Sequence, residues 1–321
     1  MSELELGITS ALAKPQPAKR KSLPAGSAIQ ILQLHSGPKT RASRNLKLNN
    51  QVLRDLVSKV GDYPIAVIVI AGPGRKGKSF MLTYIVRYLQ ALERTDDGNA
   101  GDWMDNDNPD VVMKGKGFTF RNGMARTTDG IWMWSRPFII KKSKAESPLA
   151  VLVMDTEGCF DPYTNEQEQS SIIGLSLLLS SCFIYNDTGL INENTINTLA
   201  QFMQYGQIAS QSFEGKTFQR LMFLIRDWNT TNEHGAAGGQ GFIRRFLASK
   251  HGMSEQAARN RQLIQDNFED YDAYLMPLPG KKVVSEEFTG SIGEMKPEFR
   301  NHVERFAVNL VADVAPKRRY A

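Results

Sequence analysis

The segment GPGRKGKS, residues 72–79, has the residue types and the spacing of a loop that binds phosphate groups. It matches the pattern G-x-x-x-x-G-K-S/T at every fixed position. Glycines there let successive backbone N–H groups point at an anion, Lys78 would reach the β- and γ-phosphates of a nucleotide, and Ser79 would give its hydroxyl oxygen to Mg²⁺. An accidental glycine-rich turn is the alternative. We call this segment the P-loop.

A second segment, VLVMDTEG at residues 151–158, predicts a carboxylate close to that metal ion. Its apolar strand ends at Asp155, beside the P-loop strand if the sheet is parallel, and Gly158 follows in D-x-x-G spacing. Asp155 would hold Mg²⁺ through a water molecule, and the N–H of Gly158 would sense the γ-phosphate. Taken alone, an aspartate at a strand end is more often a cap or a turn residue.

A nucleotide-dependent switch also needs a hydroxyl ligand on a mobile segment, and RNGMARTTDGIWMW at residues 121–134 offers one. The segment is polar up to Asp129 and then becomes a strand, with Thr127 and Thr128 at the junction. One of the two would complete the Mg²⁺ shell only when the γ-phosphate is present. A threonine pair that merely opens a strand is the alternative.

The apolar strand LMFLI, residues 221–225, lies where GTPases of the Ras type carry an N-K-x-D element that reads guanine. This sequence has no N-K-x-D and continues with Arg226 and Asp227. The Asp227 carboxylate would accept hydrogen bonds from the N1–H and the 2-amino group of guanine, which adenine cannot provide. A solvated strand end or an ion pair is the alternative for both residues.

Cys159 stands directly after D-T-E-G, where Ras-type enzymes place the glutamine that orients the attacking water. Catalysis by this chain must therefore be arranged differently. Arg75, inside the P-loop, would fold over the nucleotide and neutralise charge on the phosphates, as an arginine finger supplied by the same chain. An exposed loop arginine that contacts a nearby acid is the alternative.

A sheet with helices on both faces is needed to position these segments, and the apolar pattern predicts one. The predicted strands are residues 66–71, 130–140, 149–154, 180–185 and 221–225, with a short apolar segment at 273–276. The predicted helices are residues 79–92, 165–178, 192–211 and the polar stretch 254–270. Residues 102–110 and GAAGGQG at 235–241 are predicted as loops. The predicted fold class is α/β, with a mostly parallel central sheet.

The composition of the 321 residues is that of an ordinary globular protein, with 41% hydrophobic and 23% charged residues. The net charge of +5 comes from the segment before residue 48, so the body of the chain is not a basic nucleic-acid binder. Residues 1–26 are predicted as a disordered basic tail, 27–315 as the folded domain and 316–321 as a short basic tail. Cys159 and Cys182 predict core thiols of a reduced, cytoplasmic protein, and no apolar stretch is long enough to span a bilayer.

Five motifs together resemble the GTPase domain shared by atlastins and guanylate-binding proteins, which are large GTPases of the dynamin superfamily. In chain order they are GPGRKGKS, TTDGIWMW, DTEG, IRDW and YLMPLPGKKV. The resemblance covers nearly all of the predicted folded domain, and RDW, GAAGGQGFIRRFL and PLPGKKV are closer to atlastins. It implies a P-loop NTPase fold, Mg²⁺ as cofactor, GTP as substrate and GDP as product.

The resemblance also implies roles for single residues. The implied catalytic residues are Arg75, Lys78 and Thr128. The implied metal ligands are Ser79, Thr128 and, through water, Asp155. Arg226 and Asp227 are implied as a guanine-specifying pair. The full set of implied nucleotide-binding residues is Gly72, Gly74, Arg75, Lys76, Gly77, Lys78, Ser79, Phe80, Asp155, Gly158, Arg226, Asp227 and Val283. Atlastin-like loops usually carry an aromatic residue where this chain has Gly74, which predicts a more mobile loop.

For partners, the resemblance implies a homodimer when GTP or a transition-state mimic is bound. The family's helical middle domain, transmembrane hairpin and amphipathic tail would follow the GTPase domain, whereas this sequence stops at APKRRYA. A short paralogue and a fragment both stay open, and peripheral membrane association, at the endoplasmic reticulum, is an expectation from the resemblance alone.

Two functions follow from these observations. The first is Mg²⁺-dependent hydrolysis of GTP to GDP, and the second is a nucleotide-gated binding module with negligible turnover. A P-loop kinase would need an arginine-rich lid and an acceptor site, and the sequence shows neither.

Overall fold

The computed structural model describes residues 26–35, 45–104, 117–119, 130–156, 158, 166–209, 215–248 and 251–318. Within these ranges nine strands form one sheet. The strands are β1 (Ala28–His35), β2 (Asn45–Leu48), β3 (Ile65–Ala71), β4 (Ile131–Trp134), β5 (Phe138–Ile140), β6 (Leu149–Thr156), β7 (Cys182–Thr188), β8 (Phe218–Trp228) and β9 (Phe268–Pro277). The helices are α1 (Asn50–Ser58), α2 (Lys78–Glu93), α3 (Glu166–Leu179), α4 (Glu193–Ala209), α5 (Gly235–Leu247), α6 (Glu255–Asn267) and α7 (Pro297–Asp313).

The strand order is β2-β1-β4-β6-β3-β7-β8-β9, with β5 paired to β6 outside this path. The run from β6 through β3, β7 and β8 to β9 is parallel. The pairs made by β1, β2, β4 and β5 are antiparallel. The predicted α/β class with a parallel centre is therefore confirmed, and an antiparallel edge extends the sheet on the β6 side.

Both faces of the sheet are covered by helices, as the apolar strands predict. On β3, Ala66, Ile68 and Ile70 belong to a core that includes α2 and α7. The alternate residues of β3 belong to a second core that includes α3, α4 and α6. Because β3 is buried on both sides, its carboxyl end is held in place where the P-loop begins.

Two sequence-based assignments were wrong. Residues 130–140 form two short strands instead of one, because Pro137 lacks a backbone N–H and lies between β4 and β5. Residues 235–241 begin α5 and are not a loop. Glycine is a poor helix former, but a Cβ at Gly239 would lie 1.7 Å from the Ala273 carbonyl oxygen. Gly239 is therefore needed for the close contact between α5 and β9.

Cys182 is a free, buried residue of β7, and burial raises the pKa of its thiol to about 12. Cys159 lies outside the described residues. None of the helices in the described ranges combines the length and the apolar character that a membrane span requires.

Candidate nucleotide-binding site

The P-loop leaves the carboxyl end of β3 in close contact with β7. Gly72 has a φ of 134°, a conformation that side-chain-bearing residues rarely adopt. A Cβ at Gly72 would lie 2.1 Å from the carbonyl oxygen of Asn186. The loop then enters α2 at Lys78, so its backbone N–H groups and the start of a helix lie together, as an anion site requires.

Lys78 is held on the loop that precedes it. Its side chain is buried, and Nζ donates hydrogen bonds to the carbonyl oxygens of Gly72, at 3.1 Å, and Pro73, at 2.9 Å. A Cβ at Gly158 would lie 3.3 Å from the same Nζ. The ammonium group is therefore situated between the P-loop and the D-x-x-G segment.

Ser79 and Asp155 connect the two motifs directly. The Ser79 hydroxyl donates a hydrogen bond to Asp155 Oδ2 at 2.6 Å, and both residues are buried. Asp155 pairs with Ile70 in the parallel register of β6 and β3, so the expectation that it adjoins the P-loop strand is confirmed. A hydroxyl oxygen and a carboxylate side by side are hard oxygen donors, which is the ligand set that Mg²⁺ prefers.

Gly158 lies against the P-loop backbone. A Cβ at this position would come within 2.3 Å of the Gly74 Cα and 2.7 Å of the Gly74 nitrogen. Backbone atoms cannot move aside as a flexible side chain can, so any larger residue at position 158 would push the two segments apart. A close approach of this kind is what a γ-phosphate sensor at Gly158 would need.

Arg75 and Lys76 are the exposed residues of the loop. Arg75 has a φ of 62°, and its side chain makes no hydrogen bond or ion pair with another described residue. The carbonyl oxygen of Lys76 accepts a hydrogen bond from Asn186 Nδ2 at 2.9 Å. The loop backbone at Lys76 is therefore anchored, whereas the adjacent Arg75 is exposed.

The side chains of Arg226 and Asp227 lie in different environments, one buried and one exposed. Arg226 is buried between the rings of Phe80 and Phe299, with Cζ 5.7 and 5.6 Å from their centroids. Its Nη1 lies 3.5 Å from the Gly77 carbonyl oxygen, beneath the P-loop. Burial lowers the pKa of Arg226 to about 10, which leaves it a cation at neutral pH. Asp227 is exposed at the end of β8, with a φ of 59°.

The geometry therefore separates the two members of the guanine-specifying pair. The Asp227 carboxylate has room to meet a base, whereas the Arg226 guanidinium supports the loop from below. Phe80 and Val283 are also buried in the core, so their backbone, and not their side chains, would have to contact a nucleotide. Thr127 and Thr128 lie outside the described residues.

Asn186 is a site residue that the sequence analysis did not identify. It lies on β7, is fully buried, contacts Gly72 through its carbonyl and supports Lys76 through its side chain. The available signal was a polar residue within the otherwise apolar run CFIYN, since a buried amide needs hydrogen-bond partners.

Comparison with known proteins identifies the family to which this chain belongs. The family model of the guanylate-binding protein N-terminal domain matches residues 43–318. The chain is 31% identical over 318 residues to Atlastin-2 of Xenopus laevis, covering 97% of this chain and 51% of that protein. It is 32% identical over 290 residues to Atlastin of Drosophila melanogaster, covering 89% and 52%, and 33% identical over 279 residues to Atlastin-3 of Mus musculus, covering 86% and 50%. This chain thus spans about half the length of the curated relatives it matches. With its P-loop, D-x-x-G segment and parallel central strands in place, the chain belongs to the guanylate-binding protein N-terminal domain family, with atlastins among its relatives.

Proposed function

We propose that this chain binds GTP and hydrolyses it to GDP. The observation that carries the proposal is the 2.6 Å hydrogen bond between Ser79 and Asp155, which brings together two motifs from distant parts of the sequence. The position of Lys78 next to Gly158 supports it independently. Both relationships are those that binding of a nucleoside triphosphate needs.

In the proposed reaction, water attacks the γ-phosphorus, the bond to the bridging oxygen breaks, and GDP and inorganic phosphate leave. The Lys78 ammonium and the P-loop N–H groups bind the phosphate oxygens, on which charge shifts in the transition state. Arg75 is exposed on the same loop and folds onto these oxygens to reduce the charge further. Thr128 completes the set of catalytic groups carried over from the family resemblance.

Ser79 and Asp155 are the residues that would hold Mg²⁺, Ser79 directly and Asp155 through water, with Thr128 as a further ligand. When bound, the ion would neutralise phosphate charge that the protein's own cations leave uncompensated. Asp155 also accepts a hydrogen bond from the Ser79 hydroxyl, which keeps the hydroxyl lone pairs turned away from the carboxylate.

Guanine selectivity is assigned to Asp227. The carboxylate is exposed at the carboxyl end of a parallel strand, where ligands of open α/β sheets bind. Guanine offers two adjacent donors to a carboxylate, and adenine does not. Arg226 then acts on the phosphate side, by fixing the carbonyl of Gly77 at the start of α2.

Dimerisation with nucleotide bound belongs to the same proposal. Cys159 in place of a water-orienting glutamine leaves Arg75 and the loop around Thr128 to be ordered in another way. A second copy of the chain pressed over the nucleotide would order both and exclude water. A cytoplasmic location, free or peripheral to the endoplasmic reticulum, stays a prediction from the sequence.

Single-turnover hydrolysis tests the proposal. Purified protein in excess over GTP and in the presence of Mg²⁺ should release one phosphate per GTP, and ATP in the same assay should release far less. If GTP stays bound and unhydrolysed over the same period, the chain is a nucleotide-gated binding module, and the catalytic part of the proposal is wrong.

A further inference from the structure

A cluster of three metal-ligating side chains lies apart from the proposed Mg²⁺ ligands. His234 immediately precedes α5, and Glu298 and His302 lie one turn apart on α7. One ligand atom from each residue lies within 4.8 Å of the other two. Because residues at i and i+4 of a helix share a face, Glu298 and His302 both point toward the start of α5.

The ring of His234 is fixed by two acceptors. Nε2 lies 3.0 Å from the carbonyl oxygen of Trp228, and Nδ1 lies 2.9 Å from Glu298 Oε1. A carbonyl oxygen can only accept, so Nε2 carries the hydrogen that is donated to Trp228. The Nδ1 lone pair then faces a carboxylate oxygen, so this contact needs either a proton shared by the two atoms or a cation that binds both.

The ring of His302 is fixed in the same manner by Tyr274 of β9. The tyrosine oxygen lies 3.0 Å from both Nδ1 and the backbone carbonyl oxygen of His302. When the single hydroxyl hydrogen is donated to the carbonyl, His302 Nδ1–H donates to the tyrosine oxygen, and Nε2 keeps its lone pair. Histidines that bind metals usually have the other ring nitrogen engaged in this way.

The dimensions of the cluster fit one ion. The two histidine rings have centroids 5.5 Å apart, and two imidazoles on one zinc ion, each about 2 Å from it, have centroids about 5 Å apart. The His234 side chain is 6% exposed, whereas that of Glu298 is 55% exposed. The carboxylate therefore has room for the small rearrangement that coordination needs, and solvent can supply a fourth ligand.

We propose that His234, Glu298 and His302 bind one divalent transition metal ion, of which Zn²⁺ is the best match. Two imidazoles and one carboxylate are a ligand set that zinc takes, whereas Mg²⁺ takes oxygen ligands. The bound ion connects α5 with α7 and, through the Trp228 carbonyl, with the end of β8 next to Asp227.

Cobalt absorption spectroscopy on the full chain tests this site without any nucleotide. After treatment with a chelator and dialysis, addition of Co²⁺ should produce the visible absorption of a four-coordinate ion, saturating at one equivalent. Zn²⁺ should displace it, and millimolar Mg²⁺ should not. Zn²⁺ should also raise the midpoint of thermal unfolding, since metal affinity adds to folding stability.

Three variants and a control locate the ion. His234→Ala and His302→Ala should each weaken Co²⁺ binding at least about tenfold, and Glu298→Gln should weaken it as well. His251→Ala removes an exposed histidine elsewhere and should leave binding unchanged. Circular dichroism identifies any variant that fails to fold, and the exposed Glu298→Gln is the variant least subject to that failure.

Two results would overturn the proposal. One is the absence of the visible absorption in the unmodified chain, which would leave His234 and Glu298 as a proton-mediated ion pair. The other is undiminished Co²⁺ binding in the His234→Ala, His302→Ala double variant, which would place the ion elsewhere in the chain. Neither result bears on GTP hydrolysis, so the two proposals fail separately.

Discussion

Arg75 and Asp227 share the left-handed backbone conformation, with φ values of 62° and 59°. They are the two non-glycine residues with positive φ in the part of the chain that the structure describes. A residue with a Cβ in this region is strained by about 1 kcal/mol, and such strain persists mainly where a function requires the side chain. Arg75 belongs to the P-loop and Asp227 to the end of β8. The strain at both positions therefore supports the roles proposed for these two side chains.

We expect the glycine variant at position 227 to be more stable than the alanine variant. Asp227→Gly relieves the left-handed strain that Asp227→Ala keeps, and the difference should be about 1 kcal/mol in the free energy of unfolding. Urea titration of both variants measures it. The glycine and alanine variants at exposed Asn309 of α7 are the control. There the alanine variant should be the more stable of the two, because glycine is unfavourable in a helix. Equal stability of the two Asp227 variants would mean that the backbone there is relaxed.

The unmodified chain should bind GTP at least about tenfold more tightly than ATP, which corresponds to about 1.4 kcal/mol. Asp227→Asn should remove the preference, because an amide presents a donor where guanine also presents one. Competition against a fluorescent GTP analogue gives both affinities. Asp62→Asn, an exposed aspartate between α1 and β3, is the matched control and should keep the preference. Equal affinity of the unmodified chain for both nucleotides would reject the assignment of Asp227.

Lys78 and Arg75 should differ in which step they affect. Lys78→Ala should abolish nucleotide binding, because the phosphates lose the cation that is held in the loop. Arg75→Ala should keep nearly the same GTP affinity and slow hydrolysis, because the arginine acts mainly in the transition state. Binding and single-turnover rates are measured on the same preparations, with the exposed Lys144→Ala as control. A fully active Arg75→Ala protein would remove the arginine from the mechanism.

Gly158→Ala should weaken GTP binding strongly, because its Cβ would lie 2.3 Å from the Gly74 Cα. The expected loss of affinity is at least about tenfold, because the Gly74 backbone can make room for the new methyl group only if the P-loop moves. Gly74→Ala is the matched comparison, because its Cβ would be 4.0 Å from the Gly158 Cα, an ordinary contact. Calorimetric titration with a non-hydrolysable GTP analogue compares the two. A larger loss for Gly74→Ala would contradict the packing argument.

The chain should be a monomer when empty or bound to GDP and should dimerise with GDP–AlF₄⁻. A partner that binds only the closed loop must also favour the ligand that closes it, since the two equilibria are linked. Light scattering at tens of micromolar protein gives the mass, and turnover per molecule should rise with protein concentration. A monomer with GDP–AlF₄⁻, together with turnover independent of concentration, would indicate a self-sufficient monomeric switch.

Local patterns in the sequence are sufficient to predict the strands and loop that form around the P-loop. The Val- and Ile-rich run before the P-loop and the apolar run before Asp155 are predicted as strands, and β3 and β6 pair in parallel with Asp155 opposite Ile70. Spacing within eight residues is enough to identify the P-loop, because the loop folds around its own backbone. Given a parallel sheet, the pattern therefore predicts Asp155 as a neighbour of Lys78 and Ser79.

Other features depend on contacts between segments that are distant in the sequence, and local patterns do not predict them. Local composition predicts a loop at 235–241, but this segment forms the first turns of α5, where Gly239 lies close to Ala273 of β9. Asn186 and Arg226 are polar residues within apolar strands. Their contacts with the P-loop follow from the strand order, which no local pattern encodes. His234 and His302 are far apart in sequence and meet because α5 and α7 adjoin. Propensity acts within a few residues, whereas these sites were set by packing across the sheet.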